Sequence, residues 1–323
     1  MAGLGSAPSD PCGRAAMGDD PGESRNPLRG TNVYGIDRGG PFRSRRKAVK
    51  VAVFGGTGLV GSPAVEKLTA AGLEVRVASR DADRALRHFG PSFEVAEADA
   101  ETGLGVEAAL EGCEGLFISI DSPREGECVE KLVGVAGAAG VERIVYVSGC
   151  TVLQENAWFP LVEGKLRAEK ALREGGIPWT VLAPGWFFET LSRFVREGKA
   201  VLFGDDPNVW HFVAAGDFGR IVAQAFTTQE AQNRRFVVHG PEAMSIRDAL
   251  TRYLARRHPE IRKISTPPLW LLHLVARLKK NEGLKYALGL MAYFERVGEL
   301  GDPSETTELF GAPETTLEEW LRR

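Results

Sequence analysis

Residues 49–183 alternate short apolar runs with amphipathic segments, and this alternation most restricts the fold. Val49–Phe54 is a mostly apolar, β-branched run broken only by Lys50. A strand buried on both faces needs such a run, because neither side of it meets water. The pattern predicts further strands at Leu73–Ser79, Phe93–Ala96, Gly115–Ile120, Arg143–Ser148 and Trp179–Ala183. Helical periodicity lies between them at 59–71, 82–88, 127–139 and 162–174. The first of these helices has an apolar face of Val60, Ala64, Leu68 and Ala71. Pro63 sits in its first turn, where a missing N–H costs little, and Gly72 ends it. Strands and helices in alternation give a parallel sheet covered on both faces, and right-handed crossovers make it doubly wound.

Past Pro184 the alternation loosens. The sequence predicts helix at 217–226, strand at 235–239, helix at 245–256 and long apolar helical stretches after Pro267. Thr316 and Glu319 are spaced as a capping box for a last short helix. The expected fold class is α/β: a Rossmann-type doubly wound parallel sheet over residues 48–243, with a smaller, mostly helical C-terminal cap over 244–323 that shapes a substrate region. Residues 1–47 are rich in Arg, Gly, Pro and Ser and lack apolar periodicity, so they read as a disordered leader. Organellar import is one reading of that leader. Asp10, Asp19, Asp20, Glu23 and Asp37 make it too acidic for a good transit peptide. A cytoplasmic location is the expectation.

Charge narrows the function classes. The chain has 40 Lys+Arg against 43 Asp+Glu, and no basic excess points to nucleic acid. Cys12, Cys113, Cys128 and Cys150 show no metal-ligand spacing and fit a reduced compartment. No metal is expected. No apolar run is long enough for a transmembrane segment. LWLLHLVARL at 269–278 is better read as a helix covering a pocket than as one resting on a membrane.

Gly55, Gly58 and Gly61 are spaced G-x-x-G-x-x-G directly after the first strand, in the stretch FGGTGLVG. The first glycine turns the chain off the strand, and the second lets backbone N–H groups approach a pyrophosphate at the helix N-terminus. The third lets helix and strand pack closely. Thr57, Leu59 and Val60 complete the turn. A strand before and an amphipathic helix after are the context that gives the glycines meaning. Without a ligand they would be a plain βα turn. An acidic residue ending the second strand would select NAD by bonding the ribose. Here VASRDADR places Ser79 and Arg80 there, a hydroxyl and a guanidinium suited to a 2′-phosphate, so NADP is the expected cofactor and NAD the less favoured one. Arg84 adds charge one turn on, and Asp81 is placed to cap the next helix.

With these motifs in hand, the chain resembles the atypical short-chain dehydrogenase/reductases, and among them the NmrA-like group. The resemblance rests on GGTGLVG, VASR, Asp99 after the third strand, VYVSG at the fifth and VLAPGWFFET after the sixth, and covers about 49–241. It implies that Asp99 lies near the adenine and that Ile118 and Ser119 line the cofactor. It further implies Ser148 near the nicotinamide, Lys165 on the nicotinamide ribose, and Pro184, Gly185 and Trp186 bordering the nicotinamide. Ser148 and Lys165 are the candidate catalytic pair. Read without a ligand, Asp99 is a loop acid, Ser148 a strand-terminal hydroxyl, and Lys165 a solvated helix residue paired with Glu169.

One departure bears on chemistry. Standard members carry Tyr-x-x-x-Lys, in which Tyr donates a proton as hydride arrives. Four residues before Lys165 stands Leu161, which donates nothing, and Tyr146 lies inside a strand. Cys150, His211 and Lys165 itself are weak substitutes, and a lone His211 reads first as a structural residue. Trp158, Phe159, Trp186, Phe187 and Phe188 suggest an aromatic wall, although core packing accounts for most such rings. The expected function is NADPH-dependent reduction of a small apolar carbonyl or quinone compound without the usual acid. The alternative is a non-catalytic NADP-binding redox sensor, regulator or assembly factor.

Overall fold

Residues 49–323 are described by a computed structural model, and the readings made for residues 1–47 fall outside them. The first βα units place β1 at Lys50–Phe54, α1 at Gly61–Ala70, β2 at Glu74–Ser79, α2 at Ala82–Phe89 and β3 at Glu94–Glu97. Next come α3 (Val106–Leu110), β4 (Gly115–Ile118), α4 (Glu125–Ala136), β5 (Arg143–Val147), α5 (Pro160–Glu174) and β6 (Trp179–Pro184). Helix α1 starts two residues later than its periodicity predicts. The chain spends 55–58 on a turn closed by Gly58 N–H donating to Gly55 O at 3.1 Å. Helix α3, five residues long, carries too little periodicity to be foreseen.

These strands form a parallel sheet in the order β3-β2-β1-β4-β5-β6, extended at the β6 edge by β10 (Arg234–Val238). The order reverses between β1 and β4, so the two connections leave in opposite directions and open a crevice there. Alternation within β1 divides the core. Val51 and Val53 face a layer that holds α1 and α6 (Ala215–Thr227), while Ala52 and Phe54 face one that holds α4 and α5. All four are at most 3% exposed, which is why the run has no polar face.

The cap draws on two chain segments. Short strand β8 (Lys199–Val201) pairs with β7 (Val195–Arg196) on one side and with β12 (Ile264–Ser265) on the other, and β9 (Trp210–His211) pairs with β11 (Ala243–Met244). Two or three residues have no readable period, so the sequence does not announce these strands. The helices are α7 (Ile246–Arg257), α8 (Leu269–Leu278), α9 (Glu282–Val297), α10 (Ser304–Phe310) and α11 (Leu317–Arg322). Phe188, Trp210, Phe212, Leu250, Met291 and Leu317 meet in the cap core. The capping box at Thr316 and Glu319 forms as its spacing predicts. Helix α8 leaves Trp270, Leu274 and Leu278 exposed. No helix among the described residues is long and apolar enough to cross a membrane.

Candidate functional site

The crevice at the strand ends holds a cleft of about 310 Å³ lined by Gly55, Thr57, Gly58, Arg80, Asp99 and Ser119, among others. A second recess of about 250 Å³ is lined by Ser148, Cys150, Leu161, Lys165, Pro184 and Gly185, with further residues from the cap. Asp121 borders both.

The turn is built for close approach. Gly55 has φ +85°, and a Cβ there would lie 1.9 Å from the Ser119 carbonyl oxygen. A Cβ on Gly61 would lie 2.0 Å from Gly55 O, so only glycine lets α1 start this near the strand. Gly58 differs: a Cβ there would meet only Gly55 O, at 3.3 Å, and its other side faces open space. No side chain caps the N-terminus of α1 at Val60. An open cradle beside an uncapped helix start fits a pyrophosphate. Leu59, Val60 and Gly61 shape this turn but do not line the cleft.

At the rim of the cleft, Arg80 is exposed, and among the described residues no hydrogen bond or ion pair holds its guanidinium. Ser79 also lines the cleft, but its hydroxyl donates to Asp81 O at 2.9 Å and accepts from Asp81 N–H at 3.2 Å. The local turn therefore occupies it, and Arg80 is left as the cation at this rim. Asp81 caps α2 by accepting from Arg84 N–H at 2.8 Å. Asp99 accepts from Glu101 N–H at 2.9 Å and stands in a loop at the cleft wall, capping no helix. Ile118 is fully buried and packs in the core, so at this strand end Ser119, and not Ile118, meets the cleft.

In the second recess the expected catalytic pair is bound into the protein. Lys165 Nζ donates to Glu125 Oε1 at 2.8 Å and to Val147 O at 3.1 Å. The expected Lys165–Glu169 pairing does not occur. Glu169, with its side chain 2% exposed, instead accepts from Ser148 Oγ at 2.7 Å and pairs with Arg173 and Arg235. Crossovers between strands bring Glu125 to Lys165, and the i,i+4 rule has no access to that neighbour. Tyr146 also donates to Glu125 Oε1, at 2.8 Å; burial, reinforced by that carboxylate, pushes its phenol well above the ordinary range. Burial likewise raises the Cys150 thiol to about 11. Leu161 lines the recess at the position where the resemblance expects the acid.

The cap supplies what the sequence reading missed. Tyr286, Leu290 and Phe294 of α9 line the recess. Tyr286 is 46% exposed; partial burial, with Asp121 and Glu125 next, pushes its phenol up to about 12. Pro184 and Gly185 line the recess, and Trp186 does not. Its indole turns into the cap, with ring centroids 5.0 Å from Phe294 and 6.1 Å from Trp210. Of the five rings expected to form a wall, Phe187 alone lines the recess. Phe188 stacks on Phe212, and Trp158 and Phe159 pack on Tyr293. Helix α9, and not α8, covers the recess, because α9 carries the apolar residues directed at the strand ends. His211 is outside it, on β9, with its Nδ1 2.5 Å from Glu299 Oε2.

Known proteins place this geometry. The family model described as NAD(P)H-binding matches residues 55–229, more than half of the chain. The (4-alkanoyl-5-oxo-2,5-dihydrofuran-3-yl)methyl phosphate reductase of Streptomyces griseus is 31% identical over 214 residues, covering 64% of this chain and 74% of that protein. The NAD(P)H azoreductase of Xenophilus azovorans is 28% identical over 203 residues, covering 60% and 69%. Among solved structures, the NADPH-dependent quinone oxidoreductase QOR2 of Escherichia coli, complexed with NADPH, has a TM-score of 0.65 at 21% identity and covers 84% of this chain and 98% of that one, a likeness of fold. The turn that the matched region opens on is the open cradle at Gly55 and Gly58, and the chain belongs to the NAD(P)H-binding family, as an atypical short-chain dehydrogenase/reductase of the NmrA-like group.

Proposed function

We propose that this chain is an NADPH-dependent oxidoreductase that reduces a small apolar quinone or carbonyl compound. The observation that carries the reading is the pair of recesses meeting at Asp121: one has a glycine cradle and an unpaired Arg80, the other is largely apolar. Gly55, Thr57 and Gly58 would hold the pyrophosphate, Arg80 the 2′-phosphate, and Asp99 would stand near the adenine. Ser119, Ser148, Lys165, Pro184 and Gly185 would border the nicotinamide. When bound, the cofactor supplies a hydride to the acceptor in the second recess.

The residues of that recess suit an acceptor that needs no positioned acid. Leu161, Phe187, Leu290 and Phe294 exclude water from one side. Lys165 is neutralised by Glu125, and the Ser148 hydroxyl already donates to Glu169. A quinone spreads the charge it gains over its ring and oxygens and takes its protons from solvent, so it tolerates this arrangement better than a simple ketone does.

The Lys165–Glu125 pair also favours a second reading, in which the chain binds NADP and acts as a sensor, regulator or assembly factor. Fluorescence titration of the purified chain with NADPH and with NADH, followed by addition of quinones and aldehydes, separates the two. Tighter NADPH binding with oxidation on adding a quinone supports the reductase. Tight binding without turnover across the panel favours the second reading, and binding of neither dinucleotide overturns both.

A further inference from the structure

Behind the wall of the second recess, three side chains with metal-binding chemistry converge from distant parts of the chain. His211 comes from β9, His239 directly follows β10, and Glu299 lies between α9 and α10. One donor atom from each lies within 4.8 Å of the other two. The imidazole rings stack nearly parallel, at 5° with centroids 5.4 Å apart. Glu299 Oε1 accepts from His211 N–H at 2.9 Å and lies 3.9 Å from His239 Nε2, too far for a hydrogen bond.

His239 is the unexplained group. Its side chain is 8% exposed, and its Nε2 has no hydrogen-bond partner among the described residues. A buried polar nitrogen left unpaired costs about 1–3 kcal/mol, so the fold gives a reason to expect a ligand there. We propose that His211, His239 and Glu299 form a binding site for a divalent transition-metal ion of the zinc class, held by two imidazoles and one carboxylate.

Two nitrogens and a carboxylate oxygen are the donor set of a three-ligand zinc site, which keeps a further position for water. A neutral imidazole is the ligating form. At Zn–N distances of about 2.0–2.1 Å the donors would be roughly 3.4 Å apart, so the cluster must contract by about 1.5 Å at its widest. His211 can move that far because its side chain is 39% exposed. Any proton held in the His211–Glu299 contact leaves as the metal enters.

The site would pin the link between α9 and α10 to the sheet edge. It would also bear on the recess: a Cβ on Gly185 would lie 2.9 Å from Glu299 Oε1 and 3.9 Å from Cys150 Sγ. A bound ion would thus fix the wall that Gly185 and Cys150 present to the acceptor. This inference stands whether or not the chain turns over an acceptor.

The test is equilibrium dialysis of the full chain, stripped with chelator, against zinc chloride, followed by loading with cobalt(II). The expected result is about one zinc per chain, and visible ligand-field absorbance of a four-coordinate cobalt site. His211→Ala and Glu299→Gln should each weaken zinc binding by more than about 100-fold, beyond the cost of losing an outer-shell partner. His258→Ala, at a histidine outside the cluster, should leave it unchanged. Far-UV circular dichroism checks that the variants fold, and half-exposed His211 is the safer of the two substitutions. The proposal is overturned if the stripped chain takes up no zinc at about 50 μM, far above the dissociation constants of built sites. Uptake that survives His211→Ala overturns it equally.

Discussion

Lys165 Nζ lies 2.8 Å from Glu125 Oε1, and the two side chains are only 13% and 7% exposed. The contact joins α5 to the first turn of α4, and Tyr146 reaches the same carboxylate from β5. An ion pair this deep offsets the desolvation of its members without adding much net stability. Removing one member is another matter, since the remaining charge is then buried alone. Glu125→Gln is expected to lower the unfolding free energy by about 3 kcal/mol, read from urea midpoints at neutral pH. A loss below about 1 kcal/mol would mean that water already reaches Lys165.

Gly58 separates binding from folding. Its Cβ position faces open space on the cleft side, whereas one at Gly55 or Gly61 collides with backbone. Gly58→Val is expected to weaken NADPH binding by more than about 100-fold, yet to cost no more than about 1 kcal/mol of stability, since its Cβ meets a single backbone atom, Gly55 O at 3.3 Å. Gly55→Ala should fail to give a stable fold. Thermal melts run beside dinucleotide titrations check both, and unchanged binding by the Gly58 variant would falsify the cradle.

The proposed role of Arg80 in choosing between cofactors is open to test. Arg80 is the cation at the end of β2, and the adjacent hydroxyl of Ser79 is spent on Asp81. A charge-assisted hydrogen bond is worth about 1.5–3 kcal/mol. Arg80→Leu should therefore weaken NADPH binding by about 10- to 100-fold and leave NADH within about twofold. Equal losses for the two dinucleotides would show that Arg80 does not read the 2′-phosphate.

Leu161→Tyr restores the missing phenol of Tyr-x-x-x-Lys at the recess wall. General acids contribute about 10²–10⁴-fold, and the Lys165–Glu125 pair withholds part of that gain. The expected outcome is at least a tenfold rise in carbonyl reduction with quinone reduction changed by less than about threefold. A parallel rise on both acceptors would mean that the change acts on binding.

Cys150 gives a pH signature. Its thiol is 3% exposed and shifted from 9 to about 11. As pH rises past 9 the unfolded thiol ionises first, so the unfolded state holds fewer protons and stability falls with pH. This contribution is complete below pH 9 and gone by about pH 11, and a shift of that size amounts to roughly 3 kcal/mol. Cys150→Ala should flatten the fall in urea midpoint across that window.

Much of the frame was written locally. Lys50–Phe54 carries apolar residues on both faces, and Gly55, Gly58 and Gly61 sit where a strand becomes a helix, so sheet, turn and cofactor class follow from neighbours in the chain. Asp81 and the Thr316–Glu319 box were legible for the same reason, each cap bonding within three residues. Tertiary structure decided the rest of the site. Glu125 meets Lys165 across 40 positions, and His211 meets Glu299 across 88. Trp186 leaves the recess because the cap offers it Trp210 and Phe294, and α9 supplies Tyr286 in return. Periodicity records only whether a residue is buried, whereas sheet order and the path of the cap determine which buried group it meets.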